Sequence, residues 1–259
     1  MKLIPMGNII RNRRLTFALL FGMALCTSAS GRVIDTPILV YHHIHELPAN
    51  ASAPMRRWTV LPEVFEAHMD WVASQGYHTI TMEQLIGHLK HGLGLPSKPI
   101  VLSFDDGWKD HYNVAFPILK KHGFTATFFI ITDSVGHSAY MNWAQILEMS
   151  AAGMDMQAHT VTHPKLPSIS HEQAQYEIVG SKKALEYHLK KPVTVLAYPY
   201  GSYDDDVIAI TKDAGFEGAA TISGLNGGYL FRADQSYTLD RYAIEGGEDL
   251  EYLAHAKGF

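Results

Sequence analysis

Short apolar runs rich in β-branched and aromatic residues recur along the chain from Pro37 onward, each bounded by Gly, Pro or Asp. They predict strands over Ile38–Tyr41, Tyr77–Ile80, Ile100–Phe104, Thr125–Ile131, Met154–Gln157, Val193–Tyr198, Gly218–Ile222 and Leu239–Ile244. The segments between them carry a helical period and predict helices over Pro62–Gln75, Met82–His91, Trp108–Lys121, Trp143–Ala151, His171–Lys190, Asp204–Ala214 and Glu248–Ala256. Thr81 with Gln84 and Ser170 with Gln173 fit capping boxes, and Pro62 suits a first helical turn. Strand–helix alternation with short links implies a mostly parallel sheet covered by helices. Eight strands in that order predict an α/β fold, a distorted and partly open (β/α) barrel. No repeat, low-complexity tract or interdomain linker interrupts it, so one domain is expected.

The first thirty residues follow another pattern. Lys2, Arg11, Arg13 and Arg14 precede an apolar run from Leu15 to Cys26, then the small residues Thr27, Ser28, Ala29 and Ser30; no acid occurs before Asp35. This describes a secretory signal peptide over residues 1–29 and predicts an exported protein, periplasmic or extracellular. The apolar run is short for a bilayer span, so no stable membrane span is expected once the signal is cleaved. Cleavage removes four positive charges, taking the formal charge from −5 to −9, and removes Cys26, the one cysteine. Neither a disulfide nor thiolate chemistry then remains. A lipid anchor at Cys26 is the lesser alternative, because Leu25 before it is bulkier than lipoprotein signals prefer.

Composition narrows the class. With 259 residues, 47% hydrophobic and 18% charged, the chain is long enough for a large core and too apolar for disorder. Net charge is negative and the body of the chain has no basic block, so no nucleic-acid partner is expected. No phosphate-cradling glycine loop and no Gly-x-Ser-x-Gly nucleophile are present.

In barrels of this kind chemistry gathers at the C-terminal ends of the strands. Those ends read Tyr41-His42-His43, Phe104-Asp105-Asp106-Gly107, Gln157-Ala158-His159 and Tyr198-Pro199-Tyr200-Gly201. Adjacent strand residues face opposite ways, so Asp105 and Asp106 reach one site only where the strand breaks, which Gly107 permits. Two neighbouring carboxylates repel unless a cation takes one as ligand and leaves the other as base. A helix N-cap is the bland alternative for a single Asp at such a junction, and less so for a pair. His159 and His163 stand four apart, which on a helix points both imidazoles the same way. With one carboxylate they make a site with open positions, suited to Zn²⁺, Co²⁺, Ni²⁺ or Fe²⁺.

Taken in order, Phe104-Asp105-Asp106-Gly107, Trp143 at a helix start, His159-Thr-Val-Thr-His163-Pro164 and Tyr198-Pro199-Tyr200-Gly201 resemble the polysaccharide deacetylases of carbohydrate esterase family 4. The resemblance runs from about Ile38 to Leu253 and identifies residues 30–259 as the catalytic domain. It implies Asp106, His159 and His163 as ligands of a divalent metal, Zn²⁺ first with Co²⁺ or Ni²⁺ as alternatives, and Asp105 as catalytic base. Pro199 and Tyr200 would contact substrate and oxyanion, and Trp143 would form a hydrophobic wall.

Two departures qualify this pattern. Ala197 stands where the family places a base-orienting Arg, and Arg241 in Leu239-Asp240-Arg241-Tyr242 is a candidate replacement. The family's C-terminal Leu-x-His acid has only Leu253-Ala254-His255 as a counterpart, on an amphipathic terminal helix. Val40-Tyr41-His42-His43 looks instead like the N-terminal strand of the poly-N-acetylglucosamine deacetylase branch, where the His after Tyr is the acid; that maps to His42. The implied partner is an acetylated polysaccharide. An amidase on a small amide and a non-catalytic carbohydrate-binding relative are the competing readings. Oligomeric state is not legible.

Overall fold

The computed structural model describes Met1, residues 33–222 and residues 230–259. Residues 2–29 of the expected leader, Cys26 among them, lie outside the described residues. The chain runs through β1 (Val33–Asp35), β2 (Ile38–Tyr41), β3 (His43–Ile44), α1 (Ala53–Trp58), β4 (Thr59–Val60), α2 (Pro62–Ser74), β5 (His78–Ile80) and α3 (Met82–His91). Strand β6 (Pro99–Phe104) leads through a π-helical turn (His111–Ala115) into α4 (Phe116–His122). There follow β7 (Thr127–Ile130), α5 (Trp143–Ala151), β8 (Asp155–Ala158), α6 (His171–Leu189), β9 (Val195–Ala197), α7 (Asp205–Asp213) and β10 (Gly218–Thr221). Strands β11 (Leu230–Arg232), β12 (Leu239–Asp240) and β13 (Tyr242–Ala243) precede α8 (Leu250–Lys257). Among the described residues no helix is long and apolar enough to cross a membrane.

The main sheet is ordered β12-β10-β9-β8-β7-β6-β2-β13, with β5 also on β6, and its pairings are parallel. The expected strand Leu239–Ile244 is divided at Arg241: β12 pairs with β10 while β13 pairs with β2. One short, broken strand therefore joins both ends of the sheet and nearly closes the barrel. Alternation explains how the strands serve two cores at once. Leu39, Leu102, Phe104, Phe128, Ile130 and Leu196 pack outward under the helices. Ile38, Val101, Phe129, Val195 and Ala197 face the barrel interior, where Leu85, Ile86 and Leu89 of α3 join them.

Local signals set the helix ends. Thr81 with Gln84 and Ser170 with Gln173 form capping boxes at α3 and α6, and Asn142 with Gln145 forms a third at α5. The helix expected over Trp108–Lys121 is irregular instead. Phe116 N–H reaches back to His111 O in the π turn, and Pro117, which has no N–H to donate, sits where the turn becomes α4.

Candidate functional site

The same alternation that buries Val101 inside the barrel also turns Ser103 and Asp105 inward from β6, and Asp155, Gln157 and His159 inward along β8. At the end of β6 the backbone then breaks. Asp106 has φ 76° and Gly107 φ 81°, so the second carboxylate swings to the same side as the first. A side chain at Gly107 would be strained by that φ and would press on Ile130, its Cβ 3.3 Å from Cδ1.

Asp105 is buried and grips Arg241 through two parallel bonds: Nη1 donates to Oδ1 and Nη2 to Oδ2, both at 2.7 Å. The break between β12 and β13 carries this guanidinium into the interior, where it also lies 5.1 Å from the Phe129 ring centroid. Burial pushes the Asp105 carboxyl up, but Arg241, with His159 and His42, more than offsets it and holds the group below its usual range. The guanidinium absent from position 197 is thus supplied from position 241. The carbonyl of Ala197 meanwhile accepts from His159 Nδ1 at 2.8 Å.

That bond fixes Nδ1 as a donor and aims Nε2 of His159 at Asp106 Oδ1 (3.5 Å) and at His163 Nε2 (3.1 Å). Burial lowers the His159 pKa, but Asp105 and Asp106 more than offset it, so an ion binding at Nε2 would displace a proton held there by the carboxylates. His163 Nε2 is also 3.5 Å from Asp106 Oδ1. One donor atom from each of Asp106, His159 and His163 thus falls within 4.8 Å of the other two. Burial followed by the neighbouring His159 lowers His163 to about 4, so it is a neutral ligand at ordinary pH. A carboxylate held ionised by its histidine partners, against burial, completes a donor set suited to a divalent ion.

The two histidines do not sit on a helix as their spacing suggested. Residues 159–163 form a loop with Thr160 and His163 both at φ 65°. Glu177 of α6 fixes this loop: Oε2 accepts from Val161 N and Thr162 N at 2.8 Å each, and Oε1 accepts from Thr162 Oγ1 at 2.6 Å. His163 N also donates to Thr160 Oγ1 at 3.1 Å. Trp108 Nε1 donates to Asp106 Oδ2 at 2.9 Å, orienting the carboxylate from its other side. Glu177 and Trp108 were not singled out from the sequence. Trp108 directly follows the Asp-Asp-Gly break, a signal that was there to be used; Glu177 lies 14 residues past His163 in mid-helix and gives none.

A cavity of about 400 Å³ opens over these residues, with His42, His43, Trp58, Trp108 and Tyr200 around it. His42 follows β2 and lies against Trp58, ring centroids 4.6 Å apart. The wholly buried His111 of the π turn donates Nε2–H to the His42 carbonyl at 2.5 Å. Burial lowers the His42 pKa against the pull of Asp105 and Asp106. Tyr200 is exposed, with φ 59°, and its ring lies 4.7 Å from that of His163. Gly201 seals the turn against the residue that follows β10: its φ is 65°, and a Cβ there would lie 2.4 Å from the Ile222 carbonyl oxygen.

Two expected contacts are corrected. Trp143 does not line the cavity; it stacks on His188 of α6 at 3.8 Å, because α5 covers the outside of the sheet. Trp58 and Trp108 form the aromatic wall instead. Pro199 is buried beneath the turn that presents Tyr200, and does not reach the cavity. His255 is exposed on α8, 4.0 Å from Glu251, away from these groups.

Residues 93–219 match the family described as polysaccharide deacetylase. YxkH of Bacillus subtilis (strain 168), which carries the polysaccharide deacetylase name, is 31% identical over 211 residues, covering 82% of this chain and 72% of its own. The poly-beta-1,6-N-acetyl-D-glucosamine N-deacetylase of Staphylococcus aureus (strain MSSA476) is 29% identical over 182 residues, which are 65% of this chain and 62% of that relative. Among solved structures, the Streptococcus pyogenes deacetylase PplD, in complex with acetate, superposes with a TM-score of 0.78 at 31% identity, covering 87% of this chain and 99% of that one. The chain belongs to the polysaccharide deacetylase family, and its nearly closed, mostly parallel barrel is the family's fold.

Proposed function

We propose that this protein is an exported, metal-dependent hydrolase that removes N-acetyl groups from an N-acetylglucosamine polymer, poly-β-1,6-N-acetylglucosamine first. The observation that carries the reading is the pairing of Asp105 with Arg241 beside the Asp106, His159 and His163 donor set. A buried carboxylate kept ionised, next to three converging ligands, is the arrangement a hydrolytic base requires. Similarity to the S. aureus deacetylase and the Tyr41-His42-His43 strand end support the β-1,6-linked polymer. The basic, apolar and small-residue grammar of residues 1–29 supports export, with residues 30–259 as the catalytic domain.

Asp106, His159 and His163 would hold the ion, with Zn²⁺ before Co²⁺ or Ni²⁺. When bound, a divalent ion supplies Lewis acidity toward the acetyl carbonyl and lowers the pKa of a water from 15.7 to about 7. Asp105 takes the proton of the attacking water, and Arg241 keeps it ionised and correctly turned for that task. The backbone N–H of Tyr200 donates to the developing oxyanion, a contact worth roughly 2.7–4 kcal/mol in another hydrolase. As the C–N bond breaks, His42 delivers a proton to the departing amine, leaving acetate and a free amino sugar. Its lowered pKa makes it the stronger acid while reducing the protonated fraction at neutral pH. Trp58 and Trp108 pack against the sugar ring.

Acetate release from N-acetylglucosamine oligomers tests this reading, with β-1,6-linked oligomers compared against chitin, peptidoglycan and acetylated xylan. The β-1,6 oligomer is expected to turn over fastest, Asp105→Asn to lose turnover with metal retained, and His42→Ala to be impaired far more than His255→Ala. Turnover of small amides alone would indicate an amidase. Binding of glycan without acetate release would indicate a non-catalytic relative.

A further inference from the structure

We infer that the rim of the cavity carries a second divalent-cation site, formed by His43, His45 and Asp110. His43 opens the short strand β3 and His45 follows two residues on, across the buried Ile44, so both imidazoles emerge on one side. Their ring centroids are 5.3 Å apart. Asp110, in the turn ahead of the π-helical segment, faces them with Oδ2 3.1 Å from His43 Nδ1. One donor atom from each residue falls within 4.8 Å of the other two, the same closeness as in the Asp106, His159 and His163 set.

Two further features point to a ligand rather than to a plain ion pair. The Nδ1–H of His45 donates to its neighbour's carbonyl, Glu46 O, at 2.7 Å, which leaves Nε2 as a lone pair. A ring nitrogen pinned to a backbone carbonyl is the usual partner arrangement of a metal-bound histidine. Secondly, Oδ1 of Asp110 is buried without a hydrogen bond, with His111 Nε2 3.8 Å away and already given to the His42 carbonyl, although a carboxylate oxygen withdrawn from water needs a partner. A cation beside this carboxylate answers that deficit. Two imidazoles and one carboxylate select a borderline ion such as Zn²⁺, Co²⁺ or Ni²⁺ over Mg²⁺ or Ca²⁺.

The site sits one indole away from the first. The His43 ring lies on Trp108 with centroids 4.3 Å apart, and Trp108 donates to Asp106. Occupation would fix His43, and with it one wall of the substrate cavity.

Zinc titration of the metal-free full chain, by calorimetry and elemental analysis with Zn²⁺ as the sole added ligand, tests the assignment. Wild type is expected to bind two ions per chain. His45→Ala and Asp110→Asn should each bind one, and Asp106→Ala should also bind one while keeping the rim ion. One equivalent lost in His45→Ala and Asp110→Asn but untouched by Asp106→Ala supports the rim site whether wild type binds two ions or one, and so whatever becomes of the hydrolytic centre. An equivalent that survives in both His45→Ala and Asp110→Asn as in wild type, with any loss confined to Asp106→Ala, overturns it and leaves His43 and Asp110 as an ion pair only.

Discussion

Replacing Arg241 by Met isolates the tertiary contact on which the proposed base depends. Both partners are almost wholly buried, and the guanidinium meets both Asp105 oxygens at 2.7 Å. Removing one member of a buried pair strands the other charge, at a cost of about 3–5 kcal/mol. For a domain of this size each kcal/mol moves Tm by about 2–4 °C, so a fall of roughly 6–20 °C is expected near neutral pH. The pH dependence separates charge from packing. In wild type the Asp105 carboxyl is held below its unfolded value of about 3.9, so its contribution is present above that pH and lost as pH falls through the folded pKa. In Arg241→Met only His159 and His42 still oppose burial, so the carboxyl is expected to rise above its unfolded value and stability to fall as pH rises past about 4. The Tm gap between the two proteins should therefore widen from pH 4 to 7. The remaining loss, from the contacts to Thr221 O and to Phe129, should be independent of pH. In acetate-release assays the acid limb of kcat/KM should move to higher pH. Arg241→Lys should recover part of each effect, since it restores the charge without the two-pronged fit. A Tm gap constant from pH 4 to 7, with an unmoved acid limb, would refute the role given to Arg241.

Asp106→Ala and His163→Ala are expected to abolish turnover together with metal uptake at that centre; full turnover in either, measured alongside metal content, removes the centre from the mechanism. Glu177→Ala deletes three hydrogen bonds to the loop between the two histidines, bonds to a charged group being worth about 1.5–3 kcal/mol each. Zinc affinity by chelator competition should fall roughly 10–100-fold, with partial recovery in Glu177→Gln; unchanged affinity in Glu177→Ala would show that the loop holds itself. Asp155 is pushed up to about 6 by burial, against hydrogen bonds from Gln157 and Thr127. A carboxyl raised on folding costs stability as pH rises, so up to about 3 kcal/mol should be lost between pH 4 and 6. Asp155→Asn should flatten Tm over that window, and the same slope in the variant would exclude Asp155 as its source.

Much of the candidate site was legible because it follows from strand parity. A strand stopping at Asp105-Asp106-Gly107 and another stopping at His159 place polar groups at one end of a parallel barrel, whatever the loops do. What failed were inferences that assumed regular structure where the chain is irregular. His159 and His163 keep the spacing of a helix, yet two positive φ angles and a carboxylate from α6 shape a loop that serves the same end. Trp143 was placed at the cavity by its motif and lies outside, while Trp58 comes from α1, a helix the periodicity did not predict.

The sequence by itself determined the barrel, the strand ends and the residue types of the proposed metal and base positions, because hydrophobic period and turn chemistry act over a few residues and are written locally. Tertiary structure alone decided that Arg241 stands beside Asp105 and that Glu177 braces the histidine loop, whereas the Trp108 bond to Asp106 spans two residues and is a local one. The contacts of Arg241 and Glu177 span 136 and 15 or 16 residues of chain. They arise only when the split strand closes the barrel and α6 docks, bringing together groups whose pairing no local pattern records.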